Sequence, residues 1–222
     1  MYIWVVLATF IAILYGFNLS VRSDMRQIYV EPQAEAAVSK IVIQHKAAVK
    51  YIGDLVSDKK PYNAGEISTN VFEAYLPAGY NSTGTYTTIM YCLDKNDKTL
   101  STANGNCNAE NSINYLITFG CVPQRWKSIK GGRPANDLVN AMKTVVGNAS
   151  NFGYTQEISK TADKNQLGST MGINNGNNQW LSIPQYIIDN AGGEGKKSFA
   201  KECGPKGICS YCMVYMTPFD QL

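Results

Sequence analysis

Residues 31–56, EPQAEAAVSKIVIQHKAAVKYIGDLV, decide the fold. Apolar residues recur at Val38, Ile41, Val42, Ala48, Val49, Ile52, Leu55 and Val56. That spacing of three and four draws one stripe down a helix, so the stretch predicts a long amphipathic helix that covers a core. Pro32 suits its first turn, where a missing N–H breaks no hydrogen bond. Proline drives the residue before it away from helical backbone, so a bend is expected near Glu31-Pro32. His45, the single histidine of the chain, falls beside the stripe, one turn from Ile41, Ala48 and Ile52. A histidine so placed reads as a satisfied helix residue rather than a catalytic base.

Carboxyl-terminal to this helix, residues 57–66 (SDKKPYNAGE) form a polar connection, and beyond it the period changes. Tyr86–Leu93 (YTTIMYCL) and Tyr115–Phe119 (YLITF) are β-branched and aromatic and predict strands. A turn is expected at Asp94-Lys95-Asn96-Asp97. Residues 134–146 predict a second helix, opened by Pro134 and ended by Gly147, with Leu138, Val139, Met142, Val145 and Val146 on its apolar side. Tyr154–Ser159, Trp180–Ile183 and Ser210–Met216 are further strand candidates, and Pro184–Asn190 a short helix. The expected class is α+β, a long helix packed on an antiparallel sheet. Segments 94–112 and 160–178 are rich in Asn and Gly and read as exposed loops suited to contacts.

Amino-terminal to the helix, MYIWVVLATFIAILYGFNLSV has no charged side chain from Tyr2 to Val21. About 20 apolar residues cross a bilayer as a helix. Tyr2, Trp4 and Tyr15 lie near the ends of the run, where amphipathic rings favour the interface. No Lys or Arg precedes the run, and Asn18-Leu-Ser-Val-Arg-Ser is a poor cleavage site, so an uncleaved anchor is expected in place of a signal peptide. Two signals on orientation oppose each other. Arg22 and Arg26 favour a cytoplasmic carboxyl side, whereas six cysteines in the large domain favour an oxidising compartment. Long domains cross regardless of local charge, so the cysteines outweigh the arginines.

Three of those cysteines lie in CGPKGICSYC, residues 203–212. Cys203, Cys209 and Cys212 offer three thiolates where structural zinc takes four ligands, and the fourth would be Cys121 or His45, each far away in sequence. A redox centre needs its first cysteine at a helix start, yet Cys209-Ser-Tyr-Cys212 runs into strand-like Met-Val-Tyr-Met. Structural disulfides are therefore expected among Cys92, Cys107, Cys121, Cys203, Cys209 and Cys212. Cys92 with Cys107 closes a local loop. Cys203 pairs with either Cys209 or Cys212, and Cys121 takes the one left over.

Other constellations lead nowhere catalytic. A net charge of +3 is too small to indicate nucleic acid. No G-x-S-x-G occurs. Asp94-x-Asn96 begins like a calcium loop, but Lys98 stands where a ligand is needed. Asn18, Asn81 and Asn148 head glycosylation sequons, which matter only in a eukaryotic ectodomain. No catalytic residue, cofactor or metal site is expected.

The uncharged run, the helix AEAAVSKIVIQHKAAVKYI and the stretch YLITFGCVPQRWK together resemble the PilM-type family of type IV pilus biogenesis proteins, found in plasmid and thin-pilus systems. The likeness covers mainly residues 1–56 and 113–146 and carries no catalytic motif. The chain is also similar to minor pilins, in which a hydrophobic helix continues as an amphipathic half before a sheet with a carboxyl-terminal disulfide. Met1 fits the start of a processed class b pilin, but Val5 stands where major pilins have Glu, and no leader with a Gly cleavage point is visible. The resemblance implies a non-enzymatic, single-pass protein of the bacterial inner membrane. Residues 1–22 would be the anchor, 23–60 the amphipathic helix and connection, and 61–222 a periplasmic domain. Its partners would be other pilus or secretion-system assembly proteins, with the bilayer held through residues 2–21. A homo-oligomer, a fibre subunit and an envelope thiol–disulfide enzyme using Cys209 and Cys212 stay open as alternatives.

Overall fold

The computed structural model describes residues 2–25, 30–81, 86–94, 107, 112–123, 126, 136–147, 149, 151–157, 171–176, 180–189, 197–204, 207–209 and 211–219. The chain is α+β, with seven strands in one antiparallel sheet of order β1-β2-β3-β7-β4-β5-β6. The elements are α1 (Tyr2–Met25), α2 (Glu31–Ser57), β1 (Gly65–Glu66), a 3₁₀ helix (Thr69–Tyr75), β2 (Thr87–Asp94), β3 (Ser112–Cys121) and α3 (Asn136–Val146). They continue with β4 (Phe152–Glu157), β5 (Met171–Asn174), β6 (Trp180–Ser182), α4 (Gln185–Asp189), α5 (Phe199–Cys203) and β7 (Cys212–Phe219).

α2 is the expected helix, with Pro32 in its first turn. Its stripe lies on the sheet: Val38, Ile41, Val42, Ala48 and Ile52 are buried. Each of the larger ones contributes about 1.5–3 kcal/mol by leaving water. α3 lies beside it with Leu138, Ala141 and Met142 buried. Gly147 ends α3 in the left-handed region, φ 69°, and donates its N–H to the Lys143 carbonyl at 2.9 Å.

The two-residue period of the strands sorts their side chains between two faces. Met90 of β2, Leu116 of β3, Met213 of β7 and Phe152 of β4 pack toward α2 and α3. Ile89 and Tyr91, Ile117 and Phe119, Val214 and Met216, and Ile173 of β5 form a second core on the opposite face, closed by Ile187, Ile188, Phe199 and three cysteines. The molecule is thus helix, sheet and short helices in three layers. β7 lies between β3 and β4, so the last strand of the chain joins two halves of the sheet.

Three expectations need correction. Segment 160–178 is not loop throughout, because Met171–Asn174 is a buried strand paired with β4 and β6. Strand positions shift: β4 starts at Phe152 and β7 runs on to Phe219, because the register that pairs Phe152 with Tyr215 and Asn114 with Phe219 sets their ends. α5 and the 3₁₀ helix were not expected, being too short for a period to show. The turn at Lys95–Asp97, Pro134, the sequon at Asn148 and most of the 94–112 loop lie outside the described residues. Among the described residues no helix is long and apolar enough to cross a membrane, so the expected anchor over residues 2–21 is not found as a spanning helix.

Candidate functional site

Two features bear on function: the surface of α1 and the way the sheet is locked. Side chains of α1 are described over residues 4–17, and every one is exposed. Exposure runs from 49% at Leu7 to 75% at Trp4, and Val5, Val6, Phe10, Ile11, Ile13, Leu14 and Phe17 lie between. The apolar side chains go all the way round, unlike the single stripe of α2. The Thr9 hydroxyl, the one polar side chain from Trp4 to Leu14, donates to the Val5 carbonyl of its own helix.

On the α2 face of the sheet, a buried polar chain crosses the helix–sheet boundary. His45 Nδ1 lies 2.9 Å from Thr118 Oγ1 and Nε2 lies 2.8 Å from Thr217 Oγ1. Thr118 and Thr88 are register partners, with hydroxyls 3.0 Å apart. Gln44 Nε2 donates to Thr88 Oγ1 and to the Tyr86 carbonyl, both at 3.1 Å. The imidazole stacks on Tyr215 with ring centroids 4.1 Å apart. Burial holds it far below its usual titration range, at about 3, so it is neutral. A neutral ring donates at one nitrogen and accepts at the other, and rotating hydroxyls match either choice. His45 is therefore the satisfied helix residue its position suggested. It faces away from the cysteine-bearing core, so it is no fourth partner for Cys203, Cys209 and Cys212.

All six cysteines are resolved into three bonds, one in the α2-side core and two on the opposite face. Cys92–Cys107, Cys121–Cys209 and Cys203–Cys212 have Cα separations of 5.3, 5.3 and 5.6 Å. Of the two pairings open for Cys203, the structure has the one with Cys212. Cys209 and Cys212 are bonded to different partners, so they form no dithiol pair, and no cysteine is free. Physically, Cys121 at the end of β3 faces Cys212 at the start of β7 in register, and residues 207–209 fold back over α5. Backbone bonds set that fold: Gly207 N to Gly204 O at 2.8 Å, Ile208 N to Lys201 O at 3.0 Å and Cys209 N to Glu202 O at 2.8 Å. Glycine is required twice, since a Cβ on Gly204 would lie 2.4 Å from the Ala200 carbonyl and one on Gly207 2.6 Å from that of Glu202. The two glycines of CGPKGICSYC are thus read by close backbone approach.

α5 is tied to the sheet again by Tyr91, whose hydroxyl accepts from Phe199 N at 3.0 Å and is raised to about 12 by burial. Ser198 caps the helix by accepting from Lys201 N at 3.3 Å. That cap was the one signal in the sequence from which α5 could have been found. Ile208, at the tip of the fold-over, is 87% exposed.

Comparison of the chain with protein-family models, with curated proteins and with solved structures finds no match. Function must therefore be argued from these residues.

Proposed function

We propose that this protein is a membrane-anchored, non-enzymatic component of type IV pilus or related secretion-system assembly, acting by protein–protein contacts from the periplasmic side of the inner membrane. One observation carries the anchor: residues 4–17 of α1 expose apolar side chains on every side, with the Thr9 hydroxyl satisfied internally. A helix apolar all round belongs in a core or in lipid, and one whose hydroxyl returns to its own backbone suits lipid. Complete pairing of the cysteines favours an oxidising compartment. The pilus assignment itself rests on the resemblance of residues 1–56 and 113–146. The Asn/Gly-rich loops would carry the contacts.

Two experiments test this. The full chain should pellet with membranes and resist alkaline carbonate, and removal of residues 1–25 should release it; full-length protein in the soluble fraction ends the anchor reading. A periplasm-specific reporter at the carboxyl terminus should be active, and activity of a cytosol-specific one alone reverses the orientation.

A minor pilin is the second reading, favoured by an apolar helix leading into one that packs on an antiparallel sheet, with disulfides near the carboxyl end. Recovery in sheared fibres would select it, and retention in the membrane would select the assembly component.

A further inference from the structure

Cys203, Cys209 and Cys212 place their Sγ atoms within 4.8 Å of one another, and Cys121 Sγ is bonded to that of Cys209. Three sulfurs from α5, the fold-over and β7 thus cluster, and the fourth, from β3, is one bond away from the cluster. In a tetrahedral zinc site with Zn–S near 2.3 Å, neighbouring sulfurs stand about 3.8 Å apart. The strand register and the glycine-dependent fold-over hold the backbones that carry these sulfurs. Cys203, Cys209 and Cys212 are buried whereas Cys121 is exposed. Four thiolates around one Zn²⁺ leave a charge of −2. The sequence 196–206 carries Lys196, Lys197, Lys201 and Lys206 and one acid, Glu202.

We propose that Cys121, Cys203, Cys209 and Cys212 form a four-thiolate site for one Zn²⁺ whenever their two disulfides are reduced. The chemistry begins at Cys121, the exposed residue of the four. A thiolate of a small dithiol attacks Cys121 Sγ, the Cys121–Cys209 bond breaks, and Cys209 leaves as the thiolate. The second thiol of the reagent then displaces Cys121 and closes the reagent's own disulfide. Reduction of Cys203–Cys212 follows the same course. In all, two dithiols are oxidised, and four cysteines gain four electrons and four protons. Zn²⁺ then displaces the thiol protons to solvent. The same four sulfurs are two staples in an oxidising compartment and a metal site in a reducing one. The inference stands apart from the membrane reading, since localisation changes neither the sulfur geometry nor its test.

The full chain, reduced with a phosphine and freed of it without air, is titrated with Co²⁺ and then Zn²⁺. One Co²⁺ per chain should give the intense visible bands of tetrahedral thiolate cobalt, and one Zn²⁺ should abolish them. Alkylation mapped by mass spectrometry should then be at least tenfold slower at Cys121, Cys203, Cys209 and Cys212 in Zn²⁺, and unchanged at Cys92 and Cys107. Cys121→Ser should weaken Zn²⁺ binding at least tenfold, and His45→Gln should leave it unaltered. Lack of the cobalt bands, protection of Cys92 and Cys107, or unchanged affinity in Cys121→Ser overturns the site. These readouts apply equally where the reduced chain is unfolded without metal, because Zn²⁺ would then fold it.

Discussion

On one face of the sheet lies a 27-residue helix; on the other lie two helices of five residues each. The long helix holds itself down with an apolar stripe and a polar chain through Gln44, His45, Thr88, Thr118 and Thr217. Five residues cannot do this: a helix that short does not offset its own nucleation. Its face is closed instead by bonds from Cys203 to Cys212 and from Cys121 to Cys209. The lesson is that covalent closure takes a larger share where local structure is too short to persist: two bonds on that face, against one, Cys92–Cys107, in the α2-side core.

The strongest way to break that comparison is through the disulfides. Because it spans 88 residues, the Cys121–Cys209 bond should contribute about 4–5 kcal/mol by limiting the unfolded chain, while Cys203–Cys212, spanning 9, should contribute about 2.5–3. Urea unfolding of the two Ala-for-Cys pair variants checks this, and a larger loss from the short loop would refute it. Next comes acid. Free imidazole binds its proton near pH 6.5 and buried His45 only at about 3. Its contribution is intact above pH 6.5 and is lost as pH falls toward 3. Roughly 2 kcal/mol should be gone by pH 5, and His45→Asn should flatten the stability profile by that amount.

A sharper probe of the α2 face is Thr118→Val. It keeps the shape but removes a partner of His45 Nδ1 and of Thr88, so a loss of about 1–3 kcal/mol is expected in the same unfolding assay. At the far end of the scale, Lys60 and Asp58 pair at 2.9 Å, more than half exposed. Lys60→Ala should cost less than about 0.5 kcal/mol, setting the floor against which both faces are measured.

Much of the α2 face was legible in advance. Val38, Ile41, Val42, Ala48 and Ile52 repeat at a helical period, and YTTIMYCL and YLITF carry strand residues in unbroken runs. The other face was largely illegible. FAKEC and MGIN are too short for a period, and MGIN includes Gly and Asn, which strands disfavour. Met171–Asn174 is a strand because β4 and β6 flank it with partners. Thr88, Thr118 and Thr217 looked like ordinary strand residues, and nothing local marks them as partners of one histidine.

The sequence by itself determined the long helix, the antiparallel α+β class and the apolar run at the amino terminus, because each is written in neighbouring residues at a fixed period. Only the tertiary structure decided the order of the sheet, the pairing of Cys121 with Cys209 and the clustering of the Cys203, Cys209 and Cys212 sulfurs. Cys121 and Cys209 stand 88 positions apart, and the register partners Asn114 and Phe219 farther still. Such distant groups meet through the summed packing of both faces, and no short stretch of chain encodes that sum.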